Sequence, residues 1–457
     1  MLIKFLPREI RKYFRMSRRQ RKHEIHQSLW FKPLAYVMAA AVLAIVTLLI
    51  DMQVDLSVRA SFFAFNHEAT RTLVSTLIAS ILLLSAFTLN ILLVFLTTLS
   101  SQFSPRMLQD FIATRETQHF VGLFNGSFIY VLLLFLFMNN FRQDEFVLVP
   151  LLTVLMTFST AIIFLFFINH AIYWMQVHNI TWNMRLISEE IIQKTLTEDM
   201  EKLKVVEAGD LKEEFRKHAK IVKAPEAGYI QLVDFQGMVS EAQKEDIILA
   251  LHERIGDFML AGNPLFSYWG PGAYKVDEDA YTKCFAFGNK ETEIQDNYAA
   301  MSKLAEVAIK SISNGDPRSA VNAIYQLANL MQVFDERITF TPYLADSDKQ
   351  VRVITREQHF EGALYRGFGM IRHYAKGDLP IIIEIVSALR MLAQSSNPIR
   401  HTHIWRFAEN TIENVSQEII YDIDRDLLLE KLDLLANATG NGTEYEKLKK
   451  TIEQKKA

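Results

Sequence analysis

Residues 34–50, 73–99, 120–138 and 146–174 contain no Lys, Arg, Asp or Glu, and all four stretches end before residue 175. A bilayer core takes about 20 apolar helical residues to cross, and lipid leaves free backbone polar groups unsatisfied. The pattern therefore predicts four transmembrane helices. Beyond residue 175 it changes. Met184, Ile187, Ile191, Met200 and Leu203 recur at spacings compatible with a helix among Glu189, Glu190, Lys194 and Lys202, which reads as a stalk. The stalk is expected to stop near Gly209, with a short basic helix over 211–221 and a new start at Pro225.

Residues 229–235 have strand composition, a polar stretch runs through Glu245, and 247–251 reads as a further strand. Turn residues around Gly256-Asp257, Gly262-Asn263-Pro264 and Gly270-Pro271-Gly272 then separate the short apolar runs 258–260 and 265–269, which suggests a small β module. From Ile294 the pattern is helical again. Ala300, Leu304, Val307, Ala308 and Ile312 mark one amphipathic helix and 320–334 a second, broken at Asp316-Pro317 with the proline well placed in a first helical turn. Residues 357–375, 378–395 and 400–436 read as further helices, and the tail from Gly440 is polar and charged.

The expected fold class is thus an α-helical polytopic membrane domain with four transmembrane helices, followed by a cytoplasmic α+β domain with a small β module and a helical bundle. Its expected segments are a basic cytoplasmic N-terminal segment (1–32), the four-helix transmembrane domain (33–175), a helical stalk (176–222), the β module (223–289), a helical domain (290–436) and a charged tail (437–457).

Charge sets the orientation. The net charge of −3 conceals ten Lys or Arg within residues 1–32 against Glu9 and Glu24. Basic residues beside a membrane mark the cytoplasmic side, so both termini of a four-crossing chain are expected in the cytoplasm. No A-x-A site follows Ile50, so the first apolar segment is expected to remain as an anchor. Leu2, Leu6, Ile10 and Tyr13 recur at helical spacing among Arg8, Arg11, Lys12, Arg15, Arg18 and Arg19. That is the pattern of a basic amphipathic helix contacting anionic lipids; a solvated topogenic flank is the alternative. The mean hydropathy of +0.09 agrees with a chain made of an apolar and a polar half.

Several segments together resemble a bacterial family of predicted membrane proteins, domain of unknown function 2254. The resemblance rests on residues 100–106 (SSQFSPR), Thr117-Gln118-His119, residues 254–258 (RIGDF), residues 262–265 (GNPL), Gln295-Asp296, residues 311–317 (SISNGDP) and Ala320. It implies four membrane helices, a cytoplasmic domain and the bacterial plasma (inner) membrane as location, and brings no activity with it. The family commonly has Asn directly before the Asp-Pro step, where this chain has Gly315.

In the second apolar segment, at 100° per residue, Thr76, Ser80, Asn90, Thr97, Thr98 and Ser101 share one face, while Ser85 and Thr88 point elsewhere. Such a face lines a wet pathway or hydrogen-bonds neighbouring helices, although Leu83, Phe87 and Val94 interrupt it. His170 is the one side chain inside the four stretches that titrates near neutral pH, a candidate pH element or a packing histidine. Gly256, Asp257, Gly262, Pro264, Asp316 and Pro317 read as structural turns. His401 and His403 fall short of a zinc site, and Asp422, Asp424 and Asp426 lack the glycine of a calcium loop. The single cysteine, Cys284, excludes an intrachain disulfide and reads as a strand core residue.

No phosphate-binding, dinucleotide, serine-hydrolase or zinc-protease motif occurs, and the basic cluster adjoins the membrane instead of forming a nucleic-acid surface. No enzyme, cofactor, metal or nucleic-acid partner is expected. Two readings remain: an oligomeric ion channel or transport-related protein with a cytoplasmic gating or assembly domain, and a membrane-anchored sensor or scaffold binding an unidentified cytoplasmic partner. The first requires a homo-oligomer, because four helices scarcely enclose a path alone.

Overall fold

The computed structural model describes residues 31–53, 65–102, 111, 114–138, 145–193, 200–292, 295–356, 359–375, 377–415 and 421–454. Arg8, Arg11, Lys12, Arg15, Arg18 and Arg19 lie outside the described residues, as do the side chains of Thr98 and Ser101. The chain divides into two compact units, one ending at Asn179 and the other beginning at Ile180.

Among the described residues the first unit holds four long apolar helices, each able by length and composition to cross a membrane. They are α1 (Phe31–Gln53), α2 (His67–Gln102), α3 (Arg115–Met138) and α4 (Leu148–Met175). With 36 residues, α2 is about 54 Å long and exceeds the hydrocarbon core. Its first turns therefore carry Glu68 and Arg71, and Asn66 caps it by accepting the Ala69 N–H at 2.8 Å.

Small residues bring α1 and α3 together. A Cβ on Gly122 would lie 2.5 Å from the Tyr36 ring, and one on Gly126 3.3 Å from the Tyr36 carbonyl oxygen. Gly122 and Gly126 thus form a small-xxx-small seam, which membrane helices use because lipid supplies no hydrophobic drive for association. Tyr36 Oη and His119 Nδ1 share a hydrogen bond of 2.5 Å across this seam. Deeper in the bundle, Ala44, Val74, Ile81, Tyr130, Leu134 and Val149 form the buried core, with the Thr47 and Tyr130 hydroxyls 3.3 Å apart. A two-residue ribbon, β1 (Phe65–Asn66) with β2 (Glu145–Phe146), ties the connections preceding α2 and α4.

Helix α5 (Val177–Ile191) follows. The second unit contains a five-stranded sheet ordered β3-β7-β5-β10-β9: β3 (Lys220–Lys223), β7 (Pro264–Trp269), β5 (Ile248–Leu251), β10 (Val351–Ile354) and β9 (Tyr343–Ala345). Among its described strands β5 and β10 pair in parallel and the other neighbours antiparallel. A second, antiparallel sheet is ordered β6 (Phe258–Met259), β4 (Gly228–Val233), β8 (Phe285–Gly288). Between β8 and β9 come two long helices, α9 (Asn297–Ser313) and α10 (Pro317–Arg337).

The expected division into a β module and a separate helical bundle does not hold. Strands β9 and β10 follow α9 and α10 in the chain yet complete the five-stranded sheet, so sheet and helices are one mixed α/β unit. The expected basic helix over 211–221 is a single turn, α6 (Glu213–Arg216), followed by β3, so a boundary at 222/223 would cut a strand. The polar stretch after β4 is helix α7 (Phe235–Lys244). Asp234 caps it through the Gly237 N–H at 3.0 Å, and Phe235, Met238, Val239 and Ala242 supply its buried stripe. A short helix, α8 (Glu278–Thr282), leads into β8.

The expected helix over 357–375 is α11 (Phe360–Leu364), a π-helical turn over Tyr365–Gly369 and α12 (Met370–Ala375). Leu379–Ser395 forms α13. Residues 400–436 hold two helices, α14 (His401–Val415) and α15 (Asp422–Thr439). The charged tail forms α16 (Gly442–Gln454), whose Tyr445, Leu448 and Ile452 are buried.

Candidate functional site

The structure turns the predicted polar stripe of α2 away from the other three helices. Thr76, Ser80, Asn90 and Thr97 are exposed on the membrane unit. Ser85 and Thr88, at 9% and 2% exposure, face inward with Val74, Ile81, Leu92 and Phe95. Among the described residues of this unit no helix packs against the stripe, which is therefore no seam between α2 and α1, α3 or α4. The hydroxyls satisfy themselves: Thr76 donates to the Thr72 carbonyl at 2.8 Å, Ser80 to Thr76 at 3.2 Å and Thr97 to Val94 at 2.8 Å.

Asn90 cannot do the same with both ends of its amide, which needs an acceptor and a donor. Among the described residues no hydrogen bond reaches its side chain. The stripe begins at an open groove formed by Asn66, Glu68, Ala69, Thr72, Leu73, Thr76 and Leu77. Leu83, Phe87 and Val94, exposed as well, interrupt it.

His170 lies elsewhere, between α3 and α4. Its Nε2 shares a 3.1 Å hydrogen bond with Thr117 Oγ1, and its ring stacks on Phe111 with centroids 5.8 Å apart. This is the geometry of a packing histidine. The sequence reading missed Asp51 at the end of α1. Its Oδ1 accepts the N–H groups of Val147 at 3.3 Å and Leu148 at 3.0 Å, and its Oδ2 that of Val149 at 2.8 Å. One α1 carboxylate thereby caps the start of α4. A lone acidic residue one position beyond an apolar stretch was the available signal.

In the second unit two of the motif segments meet. Gly256 has φ +92°, and a Cβ there would lie 2.1 Å from Asp296 Oδ2. The turn is pinned to β4, with Gly256 donating to the Ile230 carbonyl at 2.9 Å and Ile230 to that of Asp257 at 3.0 Å. Asp257 Oδ2 accepts the Arg254 N–H at 3.0 Å. Asp296 caps α9 through the Tyr298 N–H at 2.9 Å, and burial pushes its carboxyl up to about 7. Its neighbour Gln295 bonds both backbone groups of Val233, at 2.8 and 3.1 Å.

The remaining turn residues stand apart from this cluster. Gly262 (φ +86°) and Pro264 close the connection into β7, where Gly262 donates to the Ala224 carbonyl at 2.9 Å. Asp316 caps α10 through the Ser319 N–H at 3.2 Å, with Pro317 in its first turn. Gly315 sits at φ +71°, a left-handed position that Gly and Asn both tolerate, so the departure from the family pattern leaves the turn intact.

Cys284 is no strand core residue: it precedes β8 in a turn and is half-buried, and burial raises its thiol to about 11. His401 Nε2 contacts the Ala393 carbonyl oxygen at 3.0 Å, while His403 lies 3.8 Å from Glu361. Among the described residues no three His, Cys, Asp or Glu are grouped to hold a metal.

The model of a family described as predicted membrane protein (DUF2254) matches residues 26–391. Among curated proteins, the chain is 22% identical over 344 residues to uncharacterized protein Rv1290c of Mycobacterium tuberculosis and to uncharacterized protein Mb1321c of Mycobacterium bovis. Each match covers 72% of this chain and 65% of the relative, so the chain spans just under two thirds of the length of these relatives. No solved structure matches.

Proposed function

Because the chain belongs to the DUF2254 family of predicted membrane proteins, we propose that it works in a bacterial inner membrane as an oligomeric ion channel or transport-related protein. Its copies turn their α2 faces toward a shared axis. In this reading both termini and the second unit are cytoplasmic, the basic N-terminal segment contacts anionic lipids, and the second unit gates or assembles the pathway.

One observation carries the reading: the polar stripe through Asn90 is exposed on the membrane unit, and among the described residues no hydrogen bond reaches the Asn90 side chain. An amide left in lipid is costly. A shared axis gives it water or the same amide on neighbouring copies. A membrane-anchored sensor or scaffold is the second reading, favoured by a cleft in the second unit that Lys204, Arg254 and Arg356 line.

Electrical recording from purified full-length protein in planar bilayers tests the proposal. Discrete current steps that change in amplitude with Asn90→Leu are the expected result. A folded, oligomeric protein that passes no current contradicts it and favours the sensor or scaffold.

A further inference from the structure

We propose that the cleft bounded by Lys204, Arg254 and Arg356 in the second unit binds a small oxyanion, such as a phosphate or carboxylate group, with Arg254 as its principal donor. Strands of both sheets contribute to the cleft, and Ile230, Val233 and Phe285 give it an apolar floor. Three cationic side chains line it, and two of them are already engaged. Lys204 Nζ donates to Glu201 Oε1 at 2.6 Å and to the Thr339 carbonyl at 2.5 Å. Arg356 Nη1 donates to Glu253 Oε2 at 2.7 Å.

Arg254 is different. Its Nε is buried, and among the described residues no acceptor satisfies it. A buried N–H of a charged group left unpaired carries the full desolvation penalty, and native proteins seldom leave one without a ligand, ion or water to meet it. The main chain of Arg254 is also fixed in advance. Asp257 accepts its N–H, Gly256 holds the turn at φ +92°, and that turn bonds to β4. A guanidinium carried on a fixed main chain, with a spare donor and beside two paired cations, has the chemistry of an anion site.

The size of the cleft narrows the ligand class. The cleft is partly open, with a cavity volume of about 30 Å³, room for a small polar group. One oxygen of an oxyanion enters, and the rest of the molecule stays at the open mouth. A bulky apolar or cationic ligand fits neither the room nor the charge.

Titration calorimetry of the detergent-solubilised full chain with sodium phosphate, at ionic strength held constant with sodium chloride, tests this. Saturable phosphate binding is expected, with acetate competing if a carboxylate serves equally. Arg254→Gln should weaken it about ten-fold or more, the loss of one charge-assisted hydrogen bond. Arg356→Gln, at the half-exposed rim, serves as a second variant less prone to misfold and should weaken it to a smaller degree. Arg216→Gln, an exposed arginine on α6, should leave binding unchanged. Absence of saturable heat with wild-type protein, or equal affinity in wild type, Arg254→Gln and Arg356→Gln, would overturn the proposal. Because no current is measured, these outcomes are independent of the channel reading.

Discussion

Asp51→Ala is expected to destabilise the membrane unit by about 3 kcal/mol or more, because it removes a carboxylate that receives three backbone N–H groups at once. The first residues of α4 have no helical carbonyl to donate to, and Asp51 supplies both oxygens to Val147, Leu148 and Val149. At 3% exposure the site is closed to bulk water, so the freed donors gain little from solvent, and at a membrane boundary such groups are costly. The negative charge also faces the positive end of the α4 dipole. Asp51→Asn keeps one acceptor oxygen and should fall between wild type and Asp51→Ala. Thermal unfolding in detergent, followed by near-ultraviolet circular dichroism, checks the order. An unchanged midpoint for Asp51→Ala would refute the cap.

Gly256→Val should cost the second unit about 3 kcal/mol or more. A φ of +92° is strained for a β-branched residue. The new Cβ would also fall 2.1 Å from Asp296 Oδ2, within a contact fixed on both sides by β4 and α9. Gly262→Ala is the matched control. Its φ is +86° with nothing within 4 Å, so only the backbone strain of about 1 kcal/mol is expected. Hydrogen exchange in the full-length protein reads both. Gly256→Val should speed exchange across β4 and the first turn of α9, whereas Gly262→Ala should act near 262 alone. Equal effects of the two substitutions would show that the contact with Asp296 carries no weight.

The four long apolar helices are legible in the sequence because crossing a bilayer imposes a local rule, a long run without charge. The arc shared by Thr76, Ser80 and Asn90 is legible too, since helical geometry is fixed. Which side of α2 meets its neighbours is another matter: Ser85 and Thr88 are inside although they are as polar as Thr76. Packing selects that side through Val74, Ile81, Leu92 and Phe95, and periodicity of the whole helix does not reveal it.

In the second unit, α7 was hidden because its four buried residues sit among polar ones, with Gly237 between them. Strands β9 and β10 are short, and β5, the partner of β10, is about a hundred residues earlier, so no local pattern announces the pairing. The meeting of Gly256 with Asp296 is likewise non-local. The turn propensity of Gly256-Asp257 was visible; the buried carboxylate against it was not.

The central claim, that the polar stripe of α2 faces a wet axis between copies, is tested most directly by cysteine accessibility in the assembled protein. Cys284→Ser provides the background, because it removes the one native thiol. Single substitutions Thr76→Cys, Ser80→Cys, Thr97→Cys, Ser85→Cys and Thr88→Cys are then treated, in membranes, with a water-soluble thiol reagent. The account predicts modification at 76, 80 and 97 and protection at 85 and 88, where the side chains pack within the bundle. Protection at all five positions would contradict it.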